Sequence, residues 1–369
     1  MVIKGRYNSA NVMIEEIDDT TQEQIQSFVD HPNMAEGNIA IMPDCHAGKG
    51  AVVGFTMPLG SIVIPNIIGV DIGCGMLMNV VKDFEDFNVE QLDDFIKSNI
   101  PSGFHSNEKS EDHGYLTKEV TEVCERIGLD AEKALRAVGS LGGGNHFIEA
   151  GKNYAGNICI TIHSGSRNFG KCVADVYQKK AGVNDLDGLL LESDDGMDYL
   201  HDMAVAQRFA SENRKVMMKR ITDFFDMEII EEIESIHNFI GEDDIIRKGA
   251  TSAMMGEKLI IPFNMRDGLA ICVGKGNPEW NFSAPHGAGR ILSRSQAKKR
   301  LSVDEFKAQM EGVYTTTANV NTLDEAPGAY KDKDVILANI KDTVDVIEFV
   351  KPFYNFKAGS EDKLKEATH

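Results

Sequence analysis

The sequence predicts an α+β fold in a single domain, with central β-sheets flanked by helices around one shared pocket. Three observations carry this expectation. Strand-like and helical segments come in mixed runs, not as regular βαβ units, which disfavours a doubly wound parallel sheet. No Pro/Ser-rich linker, internal repeat or low-complexity tract divides the 369 residues. Glycine-rich segments with chemically versatile side chains are scattered from residue 44 to residue 289, and they can line one pocket only if the chain between them is one folded unit. The expected boundaries are 1–360 for the domain and 361–369 for a polar C-terminal tail.

The elements follow in order. Short apolar runs at 39–42, 51–57, 61–64 and 76–81, bounded by Gly, Pro, Asp and Asn, read as strands. Helical periodicity marks 89–100 and 116–126, and a strand returns at 158–162. A long helix is expected over about 196–225, where Tyr199, Met203, Ala206 and Ala210 make an apolar stripe. The acid-rich stretch 223–244 reads as a helix that ends at His237-Asn238. Strands are expected at 258–263, 269–273 and 346–356, and helices at 303–310 and 332–340.

Composition excludes several classes. Hydrophobic residues at 42% and charged residues at 26% are ordinary globular usage, so the chain is neither fibrous nor disordered. Its apolar stretches are too short to span a bilayer, and the start MVIKGRYNSANV has no apolar core of a secretory signal. Six cysteines without a CxxC argue against a disulfide framework, so a reducing, cytoplasmic setting is expected. The 38 basic and 58 acidic side chains give a net charge of −20, the wrong overall sign for a nucleic-acid binder. Net charge does not decide what a local cleft does. The run 285–301 carries Arg290, Arg294, Lys298, Lys299 and Arg300 with no acid, which suits either a solvated helix face or a patch for an anionic partner.

Four segments combine glycine with side chains able to bind metals or attack phosphorus. In GVDIGCG (69–75), Asp71 and Cys74 sit three apart in a turn; the pattern suits either an ion or a buried free cysteine. In LGGGNHFIE (141–149), a glycine loop leads into a strand carrying Asn145, His146 and Glu149, and such a loop can offer backbone N–H groups to phosphate or simply turn. In ITIHSGSR (160–167), a strand delivers His163 just ahead of Arg167, a residue type suited to bidentate phosphate recognition. In SAPHGAGR (283–290), His286 lies four before Arg290, a pairing suited to nucleophilic attack on phosphorus with charge neutralisation. Asp71, Cys74, His146, His163 and His237 make a mixed O/S/N set able to hold two divalent ions, and softness alone would favour zinc.

The joint pattern MPDCHAGKGAVVG (42–54), GVDIGCG, GGGNHFIE, HSGSRNFG (163–170), HN (237–238), RKGATSA (247–253), SAPHGAGR, EAPGAYKD (325–332) and FKAG (356–359) resembles the RtcB-type RNA ligases, in the family's order and over nearly the whole chain. The resemblance is to the compact paralogues. It implies an RtcB-like fold and a GTP- and Mn²⁺-dependent enzyme that joins RNA 3′-phosphate or 2′,3′-cyclic phosphate ends to 5′-hydroxyl ends. By position it implies two Mn²⁺ held by Asp71, Cys74, His146, His163 and His237, with the Cys74 thiolate bridging. It implies that His286 is the guanylylated histidine, with Asp44 orienting or deprotonating its imidazole. Asn145 and Arg290 become phosphate contacts, and Glu149 and Lys357 guanine contacts. Where longer members carry a PGSMG segment, this chain reads PFNMRDG (262–268), so Asn264 is the expected nucleotide contact there. Arg167, Lys171 and Arg294, together with Lys49, are the residues expected to face RNA. A dinuclear metal phosphohydrolase and a non-catalytic RNA-end binder are the alternatives.

Overall fold

The computed structural model describes residues 1–82 and 87–359. The expected tail at 361–369 lies outside the described residues.

Two large sheets organise the chain. The first has six strands in the order Val2–Lys4, Ser9–Val12, Ile39–His46, Val53–Pro58, Ile245–Lys248 and Asn238–Ile240. Among these only Ser9–Val12 and Ile39–His46 pair in parallel. The second has seven antiparallel strands in the order Ile229–Ile236, Gly75–Val81, Ile158–Ser164, Phe147–Lys152, Val344–Phe356, Gly268–Gly274 and Lys258–Asn264. The absence of βαβ repeats in the sequence pattern is thus matched by hairpin-like antiparallel pairing.

The second sheet curls until its edges meet: Ser235 Oγ on the first strand accepts from Ile260 N–H on the last at 2.9 Å. Its inner strands Gly75–Val81, Ile158–Ser164 and Phe147–Lys152 bury both faces, so alternate residues serve different cores. Met76, Met78, Phe147, Cys159, Ile260, Leu269 and Val350 fill the inside of the curl. Leu77, Ile148, Ile160 and Ile162 face outward onto Met217, Met218 and Ile221 of the helix Asp194–Phe224. That 31-residue helix starts where Ser193 accepts from Gly196 N–H, with Asp194 and Asp195 complementing the N-terminal dipole. The stripe Tyr199, Met203, Ala206 and Ala210 is buried, as its spacing predicts.

One expectation is corrected. The segment before His237 is not an acidic helix but the strand Ile229–Ile236, paired with Gly75–Val81. Ile233 and Ser235 turn inward at period two while Glu232 stays in solvent. As an edge strand with one wet face it carries enough acid to obscure its alternation. Two helices, Asp19–Val29 and Arg167–Ala181, were not anticipated. The second begins directly after the strand that carries His163.

No helix among the described residues is long and apolar enough to cross a membrane. All six cysteines are free.

Candidate active site

Four adjacent strands of the curled sheet deliver metal-ligating side chains to the same end. His237 follows Ile229–Ile236, Cys74 precedes Gly75–Val81, His163 lies near the end of Ile158–Ser164, and His146 precedes Phe147–Lys152. The register sets Ile236 opposite Gly75, and Gly75 opposite Ser164. Asp71 enters from the turn before Cys74, whose N–H donates to Asp71 O at 3.2 Å. Gly165 has to be glycine there, because a β-carbon would overlap the Asp71 carboxylate.

The ligand atoms form two overlapping groups. Those of Cys74, His163 and His237 lie within 4.8 Å of one another, and so do those of Asp71, Cys74 and His146. Cys74 belongs to both. The rings are preset for coordination. His146 Nδ1 lies 2.8 Å from Leu141 O, and His163 Nδ1 3.1 Å from Asn145 O. A carbonyl only accepts, so each Nδ1 carries the proton and each Nε2 presents its lone pair inward. Those Nε2 atoms lie 3.5 and 3.3 Å from Cys74 Sγ. His237 Nε2 sits 3.2 Å from His163 Nε2, and its buried Nδ1 has no partner. Such converging lone pairs repel unless a cation lies among them, and the donor set of one carboxylate, one sulfur and three imidazoles fits divalent metal.

Burial reinforces this state. It pushes His163 and His237 well below the usual imidazole range, which keeps them neutral. Burial, then the Asp71 charge, pushes the Cys74 thiol up, a bias that a bound cation reverses. Asp71 Oδ2 lies 3.0 Å from His146 Nε2, so a carboxylate oxygen joins the same set of converging acceptors.

His286 stands beside the cluster, its ring centroid 4.8 Å from that of His237. Its Nδ1 lies 2.7 Å from Oδ2 of the fully buried Asp44. Facing a carboxylate, Nδ1 donates, which leaves Nε2 as the basic nitrogen on a side chain that lines the cavity. Asp44 is fixed in turn by its surroundings. Lys331 Nζ donates to Pro43 O and Cys45 O on either side of it. Gly289, at φ 74°, packs where any β-carbon would overlap Asp44 O. His46, half-buried and held neutral with a pKa of about 4 chiefly by desolvation, places its Nδ1 3.0 Å from Asp44 O and lies outside both ligand groups.

A cavity of about 1210 Å³ opens over these residues, lined by both large sheets. Asp71, Cys74, His163, His237 and His286 line it together with Asn145, Glu149, Asn264, Arg290, Arg294 and Lys357. His146 and Asp44 stand just behind the wall. Asn264 is tied to Asp267, donating at 2.7 Å, and Arg266 pairs with Asp267, so the charges of the departing segment largely satisfy each other. Arg290 directs its guanidinium to Glu325, Tyr330 and the backbone oxygens of Leu292 and Asp324. Arg294 pairs with Asp324 and Glu325, and Lys357 with Glu325 at 2.9 Å. Arg167 and Lys171 are not in the lining: Arg167 donates to Gly103 O and Ser140 Oγ, and Lys171 pairs with Asp175 on the surface of its helix.

Sequence reasoning missed the residues that act through others. Glu325 is one. Burial would raise its pKa, but the charges of Lys357, Arg294 and Arg290 bring it down to about 2. Asn213 and Arg214 are two more, on the helix Asp194–Phe224. Arg214, fully buried, donates to Gly73 O at 2.8 Å, Ser164 O at 2.7 Å and Glu234 Oε1 at 2.8 Å. Asn213 accepts from Gly139 and Ser140 N–H and donates to Ser164 Oγ and Gly165 O. Nothing local in the sequence distinguishes them from other polar helix residues.

The family model described as "tRNA-splicing ligase RtcB" matches residues 24–358. The chain belongs to the RtcB family. It is 33% identical over 358 residues to the RNA-splicing ligase RtcB of Escherichia coli K12, covering 84% of this chain and 87% of that protein. It is 27% identical over 439 residues to the tRNA-splicing ligase RtcB of Thermococcus kodakarensis, covering 91% and 90%. The match to the Aeropyrum pernix tRNA-splicing ligase RtcB is 27% over 397 residues, covering 80% and 82%. The RtcB resemblance drawn from the motifs and the α+β expectation therefore stand.

Three measurements follow for this RtcB site. Arg214→Met leaves two buried carbonyls and Glu234 without their donor, so urea unfolding should show a loss of about 3 kcal/mol; a loss under about 1 kcal/mol would show that the staple is dispensable. A divalent cation such as Mn²⁺ or Zn²⁺, at about 100 times its dissociation constant, should stabilise the wild type by about 2.7 kcal/mol in thermal melts with and without chelator. Cys74→Ala removes the donor common to both groups and should erase that gain. Glu149 has its pKa raised by burial from 4.5 to about 8, so the fold keeps it protonated while the unfolded chain ionises it. Stability should therefore fall by up to about 1.4 kcal/mol per pH unit between those two values and level off above them. Glu149→Gln should flatten that slope, and an unchanged slope would place the titration elsewhere.

Proposed function

We propose that this RtcB-family chain is a GTP- and Mn²⁺-dependent RNA ligase that joins RNA 3′-phosphate or 2′,3′-cyclic phosphate ends to 5′-hydroxyl ends through a guanylylated His286. The observation that carries this reading is the His286–Asp44 pair placed against a cluster of five metal-ligating side chains in one cavity. Asp71, Cys74, His146, His163 and His237 would hold two Mn²⁺, with Cys74 shared. When bound, the metal supplies Lewis-acid neutralisation of phosphate charge, which lets two anionic reactants meet.

The protein's own groups then have defined tasks. His286 Nε2 presents its lone pair to the α-phosphorus of GTP; the P–N bond forms as the bond to pyrophosphate breaks. Asp44 keeps the proton on Nδ1 and stabilises the positive charge that the ring acquires. An oxygen of the RNA 3′-phosphate next attacks the guanylyl phosphorus, and His286 leaves with its lone pair restored. The 5′-hydroxyl then attacks the activated 3′-phosphate, its proton departs, and GMP is released. A 2′,3′-cyclic end is first opened by water. Asn145, Arg290 and Asn264 serve as nucleotide phosphate contacts, and Glu149 and Lys357 as base contacts.

RNA approaches past the basic stretch 285–301, where Arg294 lies in the cavity wall; Arg167 and Lys171 sit farther back on the neighbouring helix. Such contacts are blind to sequence, so selectivity comes from end chemistry. RNA repair or tRNA splicing in a reducing cytoplasm is the setting that this chemistry and six free thiols suit.

The test is mass spectrometry of the intact protein after incubation with Mn²⁺ and each NTP. The wild type should gain one guanylyl group, stable to alkali and labile to acid, mapped to His286 and lost in His286→Ala. Asp44→Asn, which lets the ring take the wrong tautomer, should slow adduct formation by about 10³-fold or more. Turnover of cyclic phosphates or nucleotides with no adduct would instead favour the metal phosphohydrolase.

A further inference from the structure

Deep in the cavity, on the wall formed by the curled sheet, Asn355 lies directly opposite Glu149 on paired strands, and both side chains line the space. Asn355 is 1% exposed and Glu149 3%. The two are hydrogen-bonded, with Asn355 Nδ2 donating to Glu149 Oε2 at 2.8 Å. That bond fixes the amide: its nitrogen is committed to the carboxyl group, so its oxygen points elsewhere as an acceptor. Asn355 Oδ1 has no partner, although it is buried. Fixing a polar atom in an apolar interior without a hydrogen bond is costly, and proteins do so where a ligand completes the bond.

We propose that Asn355 is a specificity-determining residue of the nucleotide site, its side-chain oxygen and the Glu149 carboxylate together forming a two-acceptor edge that takes the N1–H and N2 amino group of guanine. The inference rests on reading this cavity as a nucleotide site, and deepens it. Donor and acceptor patterns single out the base. Guanine offers adjacent donors at N1 and N2. Adenine offers an acceptor at N1, which would face two acceptors. Cytosine has an acceptor at N3, and uracil a single donor flanked by carbonyls. Phe147, also in the lining and one residue after His146, supplies an apolar ring close to this edge, with Lys357 Nζ 5.2 Å from its centroid. The adjacent donors also give Glu149 the hydrogen bonds it needs to ionise inside the sheet.

Inosine isolates the Asn355 contribution, because it keeps N1–H and lacks the N2 amino group. The experiment is calorimetric titration of the full chain, loaded with Mn²⁺, with GMP and with IMP. The wild type should bind GMP about tenfold more tightly than IMP, the value of one completed buried hydrogen bond. Asn355→Val, which suits a strand and carries no acceptor, should weaken GMP by about that factor and leave IMP within about twofold, so that the preference disappears. A preference that survives in Asn355→Val overturns the proposal. Equal weakening of both nucleotides also overturns it, since that is the mark of a mere prop for Glu149. A wild type that does not distinguish GMP from IMP, or binds neither, overturns it without recourse to a variant. The two readings fail separately: GMP preference without a His286 adduct sinks the ligase and spares this inference, whereas an adduct without GMP preference does the reverse.

Discussion

The site depends on one buried guanidinium. Arg214 bonds the carbonyls of Gly73 and Ser164 and the carboxylate of Glu234, and each partner lies within three residues of a side chain of the candidate metal cluster: Cys74, His163 and His237. Arg's rigid fork suits this task, because it fixes three segments relative to one another with a single planar group. Asn213 beside it extends the staple to Gly139 and Ser140, at the root of the loop that carries His146. A helix that packs on the outside of the sheet thus sets the spacing of ligands on the inside. Coordination distances tolerate little error, and rigid elements hold them better than loops do.

Charge is arranged on two scales. The chain carries −20 overall, yet the cavity wall gathers Lys248, Arg290, Arg294, Lys331 and Lys357. Glu325 moderates this set by holding Arg290, Arg294 and Lys357 at once. Unpaired cations packed so closely would repel one another. One shared carboxylate orders three of them on one side of the cavity. Burial keeps His163 and His237 neutral, so these two rings would meet a cation with lone pairs and not with protons.

Much of this was legible in the sequence, for physical reasons. Strands with both faces buried read as continuous apolar runs, and those at 76–81, 158–162, 258–263 and 269–273 fall within observed strands. Glycine within two residues of Asp71, Cys74, His146, His163 and His286 marked the turns, and at Gly73 and Gly165 the close approach of neighbouring atoms demands it. The strand Ile229–Ile236 was misread because its wet face carries acid that masks the alternation. Arg294 and Arg290 read as free positive charge because their partners, Asp324 and Glu325, arrive from about thirty residues downstream.

By itself the sequence determined most of the element types and the donor chemistry: an Asp, a Cys and three His able to bind metal, and a further His near an Arg. Those properties reside in residue identity and short-range spacing, where steric and hydrogen-bonding rules act directly. The tertiary structure alone decided which donors lie together, with Cys74 common to both groups, and which carboxylate faces Nδ1 of His286. It also decided that Asn355 stands across from Glu149, more than two hundred residues away along the chain. Register between distant strands and the curl of a sheet are global solutions to packing. No local pattern encodes them, since each strand's partner is fixed only when every other strand has found its own.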